Sequence, residues 1–599
     1  MAKKLIKVVD LSFRDGFQSV FGARVLRKDY LPAIEAAREA GITSFEAGGG
    51  AMFQSLFFYC NENAFETMDA FRKAAGPDAS LQTLARGVNV VGLDSQPRDM
   101  IKLHAQLFKK HGMTKIRNFD ALNDVNNLIY SGKCIVDAGL EHEIAVTMMA
   151  LPPGSRGAHD PKFYANVLKS ILDAEIPFHS VCFKDASGTS TPSTVYKTIK
   201  VARKMLPAGT HIRFHTHETA GCSVICHKAA LDAGADGIDL TMAPVSGGTS
   251  HADIVTMWHA LKGTEYDLGI NIDKILKAEM VFKECMKDYF FPPEAQKVEP
   301  LIPFSPMPGG ALTANTQMMR DNNIMDKFTD IIAAMGEVVR KGGFGTSVTP
   351  VSQFYFQQAF NNVMFGNWKK IAEGYGKMVL GYFGKTPVAP DPDIIEIASK
   401  QLGLCKTTES PLDIDERDHE KGIEASKKML VENGLEITDE NIFIAGTCRE
   451  KGIAFLKGEG KVMVRKKEVE EPAEPEMNAY TVNINNKKYA VTFDGDNAIV
   501  NGKKYNFSIK KGVEEPHLVP DTEKLDTADT VVIKAPIPGS VFNILVKVGD
   551  VISEGDVVMI LESMKMETEI KSAIDGTISS IPVTLGQKVD AGQELIHIR

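Results

Sequence analysis

The sequence lacks the features that mark secreted, membrane-spanning and nucleic-acid-binding proteins. Its eight cysteines are scattered without a paired framework, which argues against a disulfide-stabilised extracellular protein. No apolar run approaches the roughly 18 residues of a membrane helix, and the N-terminus leads into a short strand pattern rather than a signal sequence. A net charge of -9 argues against nucleic acid as the main partner. These absences predict a soluble, cytoplasmic protein.

The first half of the chain alternates regularly between two kinds of segment. Eight short apolar runs alternate with stretches that have the apolar spacing of amphipathic helices. The eight runs are Leu5–Leu11, Ile42–Ala47, Leu81–Leu84, Lys115–Phe119, Glu143–Met149, Phe178–Phe183, His211–His215 and Gly237–Leu240. This pattern predicts an α/β fold, a (β/α)8 TIM barrel.

The rest of the chain changes character several times, as expected for 599 residues, which are too many for one domain. We expect the barrel over residues 1–290 and mainly helices over 291–465. A charged linker at 466–477 precedes a small β module at 478–510, which is a possible assembly region. A second linker at 511–530 leads to a β-rich domain at 531–599.

Polar side chains follow the ends of several predicted barrel strands. They are Arg14, Asp15 and Gln18 after the first strand, Arg86 after the third, Asp120 after the fourth, Lys184 and Asp185 after the sixth, and His215 and His217 at the end of the seventh. The carboxyl ends of the strands form the face of a TIM barrel that carries the chemistry. We therefore expect these side chains to meet in one active site.

The segment His215-Thr216-His217 indicates a metal site. Residues two apart in a strand point to the same side, so both imidazoles can face one ion. Taken alone, such a pair is more often incidental, because short motifs have a high false-positive rate. Asp15 shifts the balance, since two imidazoles and a carboxylate suit zinc, manganese or cobalt and leave positions for substrate.

The C-terminal domain contains an internal repeat centred near Lys565. Glycines recur at a fixed spacing on the two sides of this lysine, at 539, 549 and 555 and again at 576, 586 and 592. Such a repeat predicts two similar β-rich halves, with Lys565 on the hairpin between them. The segment Met564-Lys565-Met566 resembles the attachment site of biotinyl carrier domains, which implies covalent biotin on Lys565.

Several motifs in the predicted barrel and the helical region resemble one enzyme family. They are Phe13-Arg14-Asp15-Gly16-Phe17-Gln18-Ser19, Leu84-Ala85-Arg86-Gly87, Phe119-Asp120-Ala121-Leu122-Asn123-Asp124, Phe183-Lys184-Asp185-Ala186-Ser187-Gly188, His215-Thr216-His217 and Val348-Thr349-Pro350. Together they resemble the biotin-dependent carboxyltransferases, which include pyruvate carboxylase and the oxaloacetate decarboxylase α subunit.

This resemblance implies a role for each matching residue. Asp15, His215 and His217 would bind a divalent metal, and carbamylation of Lys184 would complete the shell. Arg86 and Gln18, with Arg14 counted as catalytic beside them, would hold the substrate or its developing charge. Thr349 would move a proton. Residues 291–465 would form a helical funnel over the mouth of the barrel.

The resemblance leaves the direction of the reaction open. The chain is expected to be the carboxyltransferase and biotin carrier of a two-subunit pyruvate carboxylase, or else an oxaloacetate decarboxylase α subunit with membrane sodium-pump partners. We find no ATP-binding biotin carboxylase segment in the sequence, so a separate subunit should load the biotin. A biotin protein ligase and assembly into a homo-oligomer are also expected.

Two other functions compete with this interpretation. A metal-dependent Claisen-type synthase or lyase acting on acyl-CoA would explain the Arg14-Asp15-Gly16 motif and the histidine pair, but it needs no biotin. A passive biotin carrier would not need a barrel with a metal set.

Overall fold

A computed structural model describes residues 3–467, 479–484, 487–494, 497–506, 531–563 and 566–599. Eight parallel strands close into a barrel, each paired with the next and the eighth with the first. The strands are β1 (Lys7–Asp10), β2 (Ser44–Glu46), β3 (Ser80–Ala85), β4 (Lys115–Phe119), β5 (Glu141–Thr147), β6 (Ser180–Asp185), β7 (His211–Thr216) and β8 (Gly237–Leu240). The predicted TIM barrel is confirmed.

Helices cover the outside of the barrel, so the strands are buried on both faces and consist largely of apolar residues. Several of these helices begin with a capping side chain that the sequence places just before the first turn. The side chain of Asp160 accepts a hydrogen bond from Phe163 N, and Thr191 accepts one from Thr194 N, each just before a proline in the first helical turn. The helices are Arg27–Glu39, Ala64–Ala75, Arg98–Lys110, Asn126–Asp137, Pro161–Asp173, Pro192–Met205, Ser223–Ala233, Ile254–Ala260 and Ile272–Met286.

Several shorter helical segments and one short strand pair lie between these main elements. Helical segments lie at Ser12–Gly16, Phe17–Phe21, Gly50–Ser55, Leu56–Cys60, Gly87–Asn89, Pro293–Gln296 and Met325–Lys327. A two-residue strand at Lys4–Leu5 pairs with Tyr266–Asp267.

A second group of helices packs over the carboxyl ends of the barrel strands and shares one apolar core with them. Leu84, Phe119 and Cys182 of the barrel contribute to this core. The helices are Gly309–Asp321, Phe328–Lys341, Val351–Phe365, Glu373–Leu380 and Pro392–Leu402, and after them come Pro411–Asp415, Gly422–Glu432 and Asp439–Leu456. The helices up to Leu402 therefore cover the mouth of the barrel, where the site lies.

The last helix of this region packs on the side of the barrel instead. The ring of Phe443 lies 5.4 Å from that of Phe53, and the ring of Phe455 lies 4.9 Å from that of Phe57. These contacts belong to the main core of the barrel rather than to the core at its mouth. In the part of the chain that the structure describes, no helix is long and apolar enough to cross a membrane.

A small antiparallel sheet follows, with its four strands in sequence order. Its strands are Ala479–Ile484, Lys487–Asp494, Asn497–Val500 and Lys503–Asn506. This is the β-meander expected within 478–510. The linker residues 468–477 and 511–530 lie outside the described residues.

The C-terminal domain consists of two four-stranded sheets around its own apolar core. Its strands are Val531–Lys534, Gly539–Ile544, Val551–Ile552, Val557–Ser563, Met566–Lys571, Gly576–Ser580, Lys588–Val589 and Glu594–Ile598. The two-halved β domain predicted from the repeat is confirmed.

The repeated glycines make equivalent hydrogen bonds, and each half of this domain donates to the other. Gly549 N donates to Ile578 O at 2.9 Å, and Gly586 N donates to Val541 O at 2.8 Å. Both glycines have positive φ, +97° and +79°, which explains the need for glycine there. Gly592 N likewise donates to Ala535 O across the two halves.

Candidate functional site

The carboxyl ends of the barrel strands open into a small cavity beneath the covering helices. Arg14, Asp15, Gln18, Arg86, Lys184, His217 and Thr349 line this cavity. His215 lies directly beside it, because its Nε2 is 2.7 Å from Lys184 Nζ. The structure thus brings together the barrel and helical-region residues to which the resemblance gives a role, whereas Asp120 and Asp185 do not line this cavity.

A larger cavity of about 590 Å³ opens at the opposite, N-terminal end of the barrel. Lys7, Lys115 and Arg213 are among its lining residues. None of the predicted site residues reaches it, and in TIM barrels this face serves stability rather than chemistry. We therefore assign the site to the smaller cavity.

The buried guanidinium of Arg14, just after β1, contacts three side chains. Its Nε donates to Glu46 Oε2 at 2.8 Å, and its second terminal nitrogen lies 3.0 Å from Asp15 Oδ2. The other terminal nitrogen donates to Gln18 Oε1 at 3.2 Å. Burial opposes the ionisation of Asp15, but Arg14 and the nearby imidazoles outweigh it and hold the pKa of this carboxyl well below its usual range. Arg14 therefore positions both Asp15 and Gln18.

Three buried histidines surround Asp15, and each has one ring nitrogen tied to an acceptor. His217 Nδ1 donates to Thr249 O at 2.9 Å, and His251 Nδ1 donates to Thr216 O at 3.0 Å. His215 Nδ1 lies 2.9 Å from Asp239 Oδ2. Because these acceptors require a proton on Nδ1, the lone pair of each ring is on Nε2.

The three Nε2 atoms converge on the carboxylate of Asp15. Their distances to Asp15 Oδ2 are 3.7 Å for His215, 3.7 Å for His217 and 3.5 Å for His251. Burial lowers the pKa of both His215 and His217, which keeps these rings neutral and available as ligands. Imidazole and carboxylate donors at this spacing fit a divalent ion such as zinc, manganese or cobalt.

Lys184 ends β6 next to this donor set. Its Nζ is 3.9 Å from Asp15 Oδ2 and is almost fully buried. Burial lowers the pKa of this amine, although Asp15 opposes the shift. The amine is thus placed where a carbamate would add an oxygen next to the imidazoles.

His251 and Asp239 are part of the site but were missed in the sequence. Asp239 lies within β8, and Arg117 at 2.5 Å holds the pKa of this buried carboxyl well below its usual range. His251 lies in the loop after β8 and forms an isolated antiparallel bridge with His217. A histidine in the loop after the last strand was a usable signal, because every such loop lies at the same face.

Arg86 follows the barrel strand β3, and Thr349 precedes a covering helix; both line the cavity. The guanidinium of Arg86 is held by the carbonyl oxygens of Val91 and Gly92, both at 2.8 Å. Burial and the neighbouring Arg14 lower the pKa of Arg86 to about 9, which still leaves it cationic at neutral pH. Thr349 directly precedes Pro350, the N-cap of the helix Val351–Phe365.

A hydrogen-bonded loop fixes Thr349 relative to the barrel. Thr346 N donates to Ala121 O at 2.7 Å, and the hydroxyl of Thr346 is 2.8 Å from that of Thr147. His159 Nε2 donates to Phe344 O at 2.8 Å in the same loop. Contacts with the loops after two barrel strands thereby hold the threonine over the site.

Replacing either His215 or His217 with alanine is expected to lower the affinity for a divalent metal. Loss of an outer-shell partner alone typically costs about 10- to 100-fold in affinity, so loss of a ligand should cost at least as much. Metal content after dialysis against a weak chelator measures this. His227→Ala is the matched control, because His227 is a fully buried histidine of the helix Ser223–Ala233, outside the donor set. Wild-type metal content in both site variants would mean that the two histidines are structural.

In the C-terminal domain, Met564 and the predicted attachment residue Lys565 lie outside the described residues. The strands Val557–Ser563 and Met566–Lys571 flank them and pair with each other up to Ser563 and Met566. The two strands of the hairpin predicted around Lys565 are therefore present.

Three protein families match successive parts of the chain. Residues 123–281 match the HMGL-like family, residues 302–493 match the conserved carboxylase domain, and residues 531–598 match the family described as biotin-requiring enzyme. The last match supports the prediction of covalent biotin in the C-terminal domain.

Two relatives resemble the chain over nearly its whole length. A pyruvate carboxylase subunit of Methanocaldococcus jannaschii is 29% identical over 571 residues, which cover 94% of this chain and 94% of the relative. The 2-oxoglutarate carboxylase large subunit of Hydrogenobacter thermophilus is 28% identical over 607 residues, which cover 95% of this chain and 91% of the relative.

The carboxyl transferase domain of Rhizobium etli pyruvate carboxylase shares the fold. Its TM-score is 0.69 at 22% identity, with 85% of this chain and 89% of that domain covered.

Proposed function

We propose that this chain transfers a carboxyl group between carboxybiotin and pyruvate, so that pyruvate and oxaloacetate are interconverted. The chain is a biotin-dependent carboxyltransferase subunit with its own biotinyl domain. One observation carries this proposal. A donor set for a divalent metal, a buried arginine and a threonine hydroxyl line one cavity, in a chain that also carries a biotin domain. A passive carrier would need none of these side chains, and a Claisen-type enzyme would not need the carrier.

The proposed metal ligands include Asp15, His215 and His217, and Lys184 is placed to add an oxygen as its carbamate. A divalent ion held there would act as a Lewis acid on the ketone oxygen of the keto acid. Arg86 is cationic and lines the same cavity, so we assign it to the substrate carboxylate.

Gln18 and Thr349 would act on the reacting atoms themselves. Arg14 already engages the carbonyl oxygen of the Gln18 amide, so the amide nitrogen is left to donate to the developing enolate oxygen. The hydroxyl of Thr349 can accept a proton from the enol oxygen and donate one to the ureido nitrogen of biotin. In the same step the carboxyl group leaves that nitrogen and bonds to the terminal carbon of the enol, which pyruvate forms by moving one methyl proton to its ketone oxygen.

A separate biotin carboxylase subunit is the proposed source of carboxybiotin. The M. jannaschii relative is itself named as one subunit of a pyruvate carboxylase, and its similarity over 94% of the chain supports such a division of labour. It also favours the direction of pyruvate carboxylation over that of oxaloacetate decarboxylation, which would use the same residues in reverse.

We expect the purified chain to form no oxaloacetate from pyruvate, bicarbonate and Mg-ATP until a biotin carboxylase subunit is added. A coupled malate dehydrogenase assay measures the product. Avidin, which blocks biotin, should abolish the activity of the mixture and serves as the control. ATP-dependent oxaloacetate formation by the chain alone would contradict the proposed partner, and an inactive mixture would contradict the proposed reaction.

2-Oxoglutarate is a second candidate acceptor, because the 2-oxoglutarate carboxylase large subunit is nearly as similar to the chain as the pyruvate carboxylase subunit is. Bicarbonate labelled with ¹⁴C, supplied with each keto acid in turn to the same mixture, separates the two. Acid-stable label that appears only with 2-oxoglutarate would replace pyruvate in the proposal.

A further inference from the structure

His251 has the properties of a ligand that the motifs around Asp15 and His215 do not account for. Its side chain is completely buried, and its Nε2 makes no hydrogen bond to any residue that the structure describes. The other ring nitrogen is already used, because Nδ1 donates to Thr216 O. A buried nitrogen lone pair without a partner is unfavourable unless something else occupies it.

The direction of this lone pair is set by two elements of the barrel. The loop after β8 carries His251, and its bridge to His217 ties that loop to the end of β7. The rings of the two histidines lie 4.1 Å apart, and the ring of His251 lies 4.8 Å from that of His215. His251 is therefore held against the pair recognised in the sequence.

The four candidate ligand atoms lie within 4.8 Å of one another, and the distances from the carboxylate are close to those around a four-coordinate ion. Ligand atoms at about 2.0–2.1 Å from a tetrahedral ion lie about 3.4 Å from one another. The three imidazole Nε2 atoms lie 3.5 to 3.7 Å from Asp15 Oδ2, with His251 the nearest. His251 thus fits the set at least as well as the two histidines of the motif.

The lysine amine is not needed to reach four donors. Lys184 Nζ lies 2.7 Å from His215 Nε2 and 3.9 Å from Asp15 Oδ2, so it borders the set rather than completing it. A carbamate on this amine would be a fifth donor.

We propose that His251 is a direct metal ligand, and that Asp15, His215, His217 and His251 bind the ion without carbon dioxide on Lys184. This inference rests on the metal site of the proposed function. It implies that the ion can be loaded before, and independently of, any modification of Lys184.

The first test measures metal affinity rather than turnover. We expect His251→Ala to bind Co²⁺ or Zn²⁺ at least 10-fold more weakly than the wild type in competition with a chromophoric chelator, and His227→Ala to bind like the wild type. His251→Gln keeps a group that can donate to Thr216 O and lacks the imidazole, so it should also bind weakly. The d–d absorption of the Co²⁺ protein should change in both His251 variants. Wild-type affinity and spectrum in them would overturn the proposal.

The second test removes the carbamate. In buffer freed of carbon dioxide, the wild type and Lys184→Met should retain metal binding within a few-fold of that in bicarbonate. Loss of binding in either would overturn the claim that four donors suffice.

These outcomes are separate from those of the carboxyl-transfer assay. If the His251 variants bind metal normally and transfer carboxyl groups, the proposed function stands and this inference fails. If the wild type transfers none, the proposed function fails while the affinities still decide the role of His251.

Discussion

The Lys565→Arg variant is expected to carry no biotin and to lose all carboxyl transfer that depends on its own carrier. Arginine keeps the positive charge but does not supply the primary amine to which biotin is attached. The flanking strands pair through their backbones on both sides of this position, so the fold and the metal content should not change. Streptavidin blotting and intact mass measure the attachment.

The neighbouring strand offers a matched control for this experiment. Lys571→Arg changes an exposed lysine that pairs with Glu569 at 3.1 Å, and it should keep full labelling. Free biotin at millimolar concentration should restore part of the oxaloacetate decarboxylation by the Lys565→Arg variant, because only the tether and its high effective concentration are lost. Labelling that persists in Lys565→Arg would place the biotin elsewhere in the chain.

The Thr349→Ala variant is expected to retain metal and biotin but to lose turnover by a factor of about 100 or more, the usual range for loss of general acid-base catalysis. Its hydroxyl can accept and donate a proton in one step, whereas alanine can do neither. Thr349→Ser should keep part of the activity, since it retains the hydroxyl but loses the methyl group that restricts the rotamer. Steady-state decarboxylation of oxaloacetate measures the effect.

A structural role for Thr349 makes a different prediction, which thermal melting detects. If the side chain only packed before Pro350, alanine and serine would both lower the melting temperature and affect turnover alike. Thr346→Ala is the control for a purely structural loss of stability. The buried hydroxyl of Thr346 contacts that of Thr147 at 2.8 Å, and leaving that partner unpaired costs about 1–3 kcal/mol of stability. Near-normal turnover in Thr349→Ala would refute the proton transfer, whatever its melting temperature.

The barrel and the carrier could be predicted from the sequence because both are encoded in local periodicity. Each strand is a short apolar run, buried on both faces, and β6 is buried at every position from Ser180 to Asp185. The glycine spacing in the carrier encodes turns that the two halves share. Patterns of this kind need no knowledge of distant contacts.

The complete site could not be predicted in the same way, because its assembly depends on loops. His215 and His217 are two apart on one strand, so their spacing indicates a shared face. His251 reaches them only through the loop after β8, and the sequence of that loop has no periodicity to follow. Asp239 could not be predicted for another reason, since a carboxylate within a strand ordinarily indicates an exposed position.

The helices after residue 402 show a further limit of periodicity. Amphipathic spacing predicts that Asp439–Leu456 buries one face, but not which surface it packs against. The packing surface depends on aromatic residues far away in the chain, because Phe53 and Phe57 contact this helix at the side of the barrel.

The exchange of hydrogen bonds between the two halves of the carrier has a consequence for biosynthesis. The barrel is complete once its eighth strand has been made, so it can fold while the chain is still growing. The carrier has to wait, because Ala535 at its beginning receives its partner only when Gly592 has emerged. Lys565 leaves the ribosome well before that moment. An enzyme that required the folded hairpin would therefore meet its substrate only after synthesis of this domain has finished.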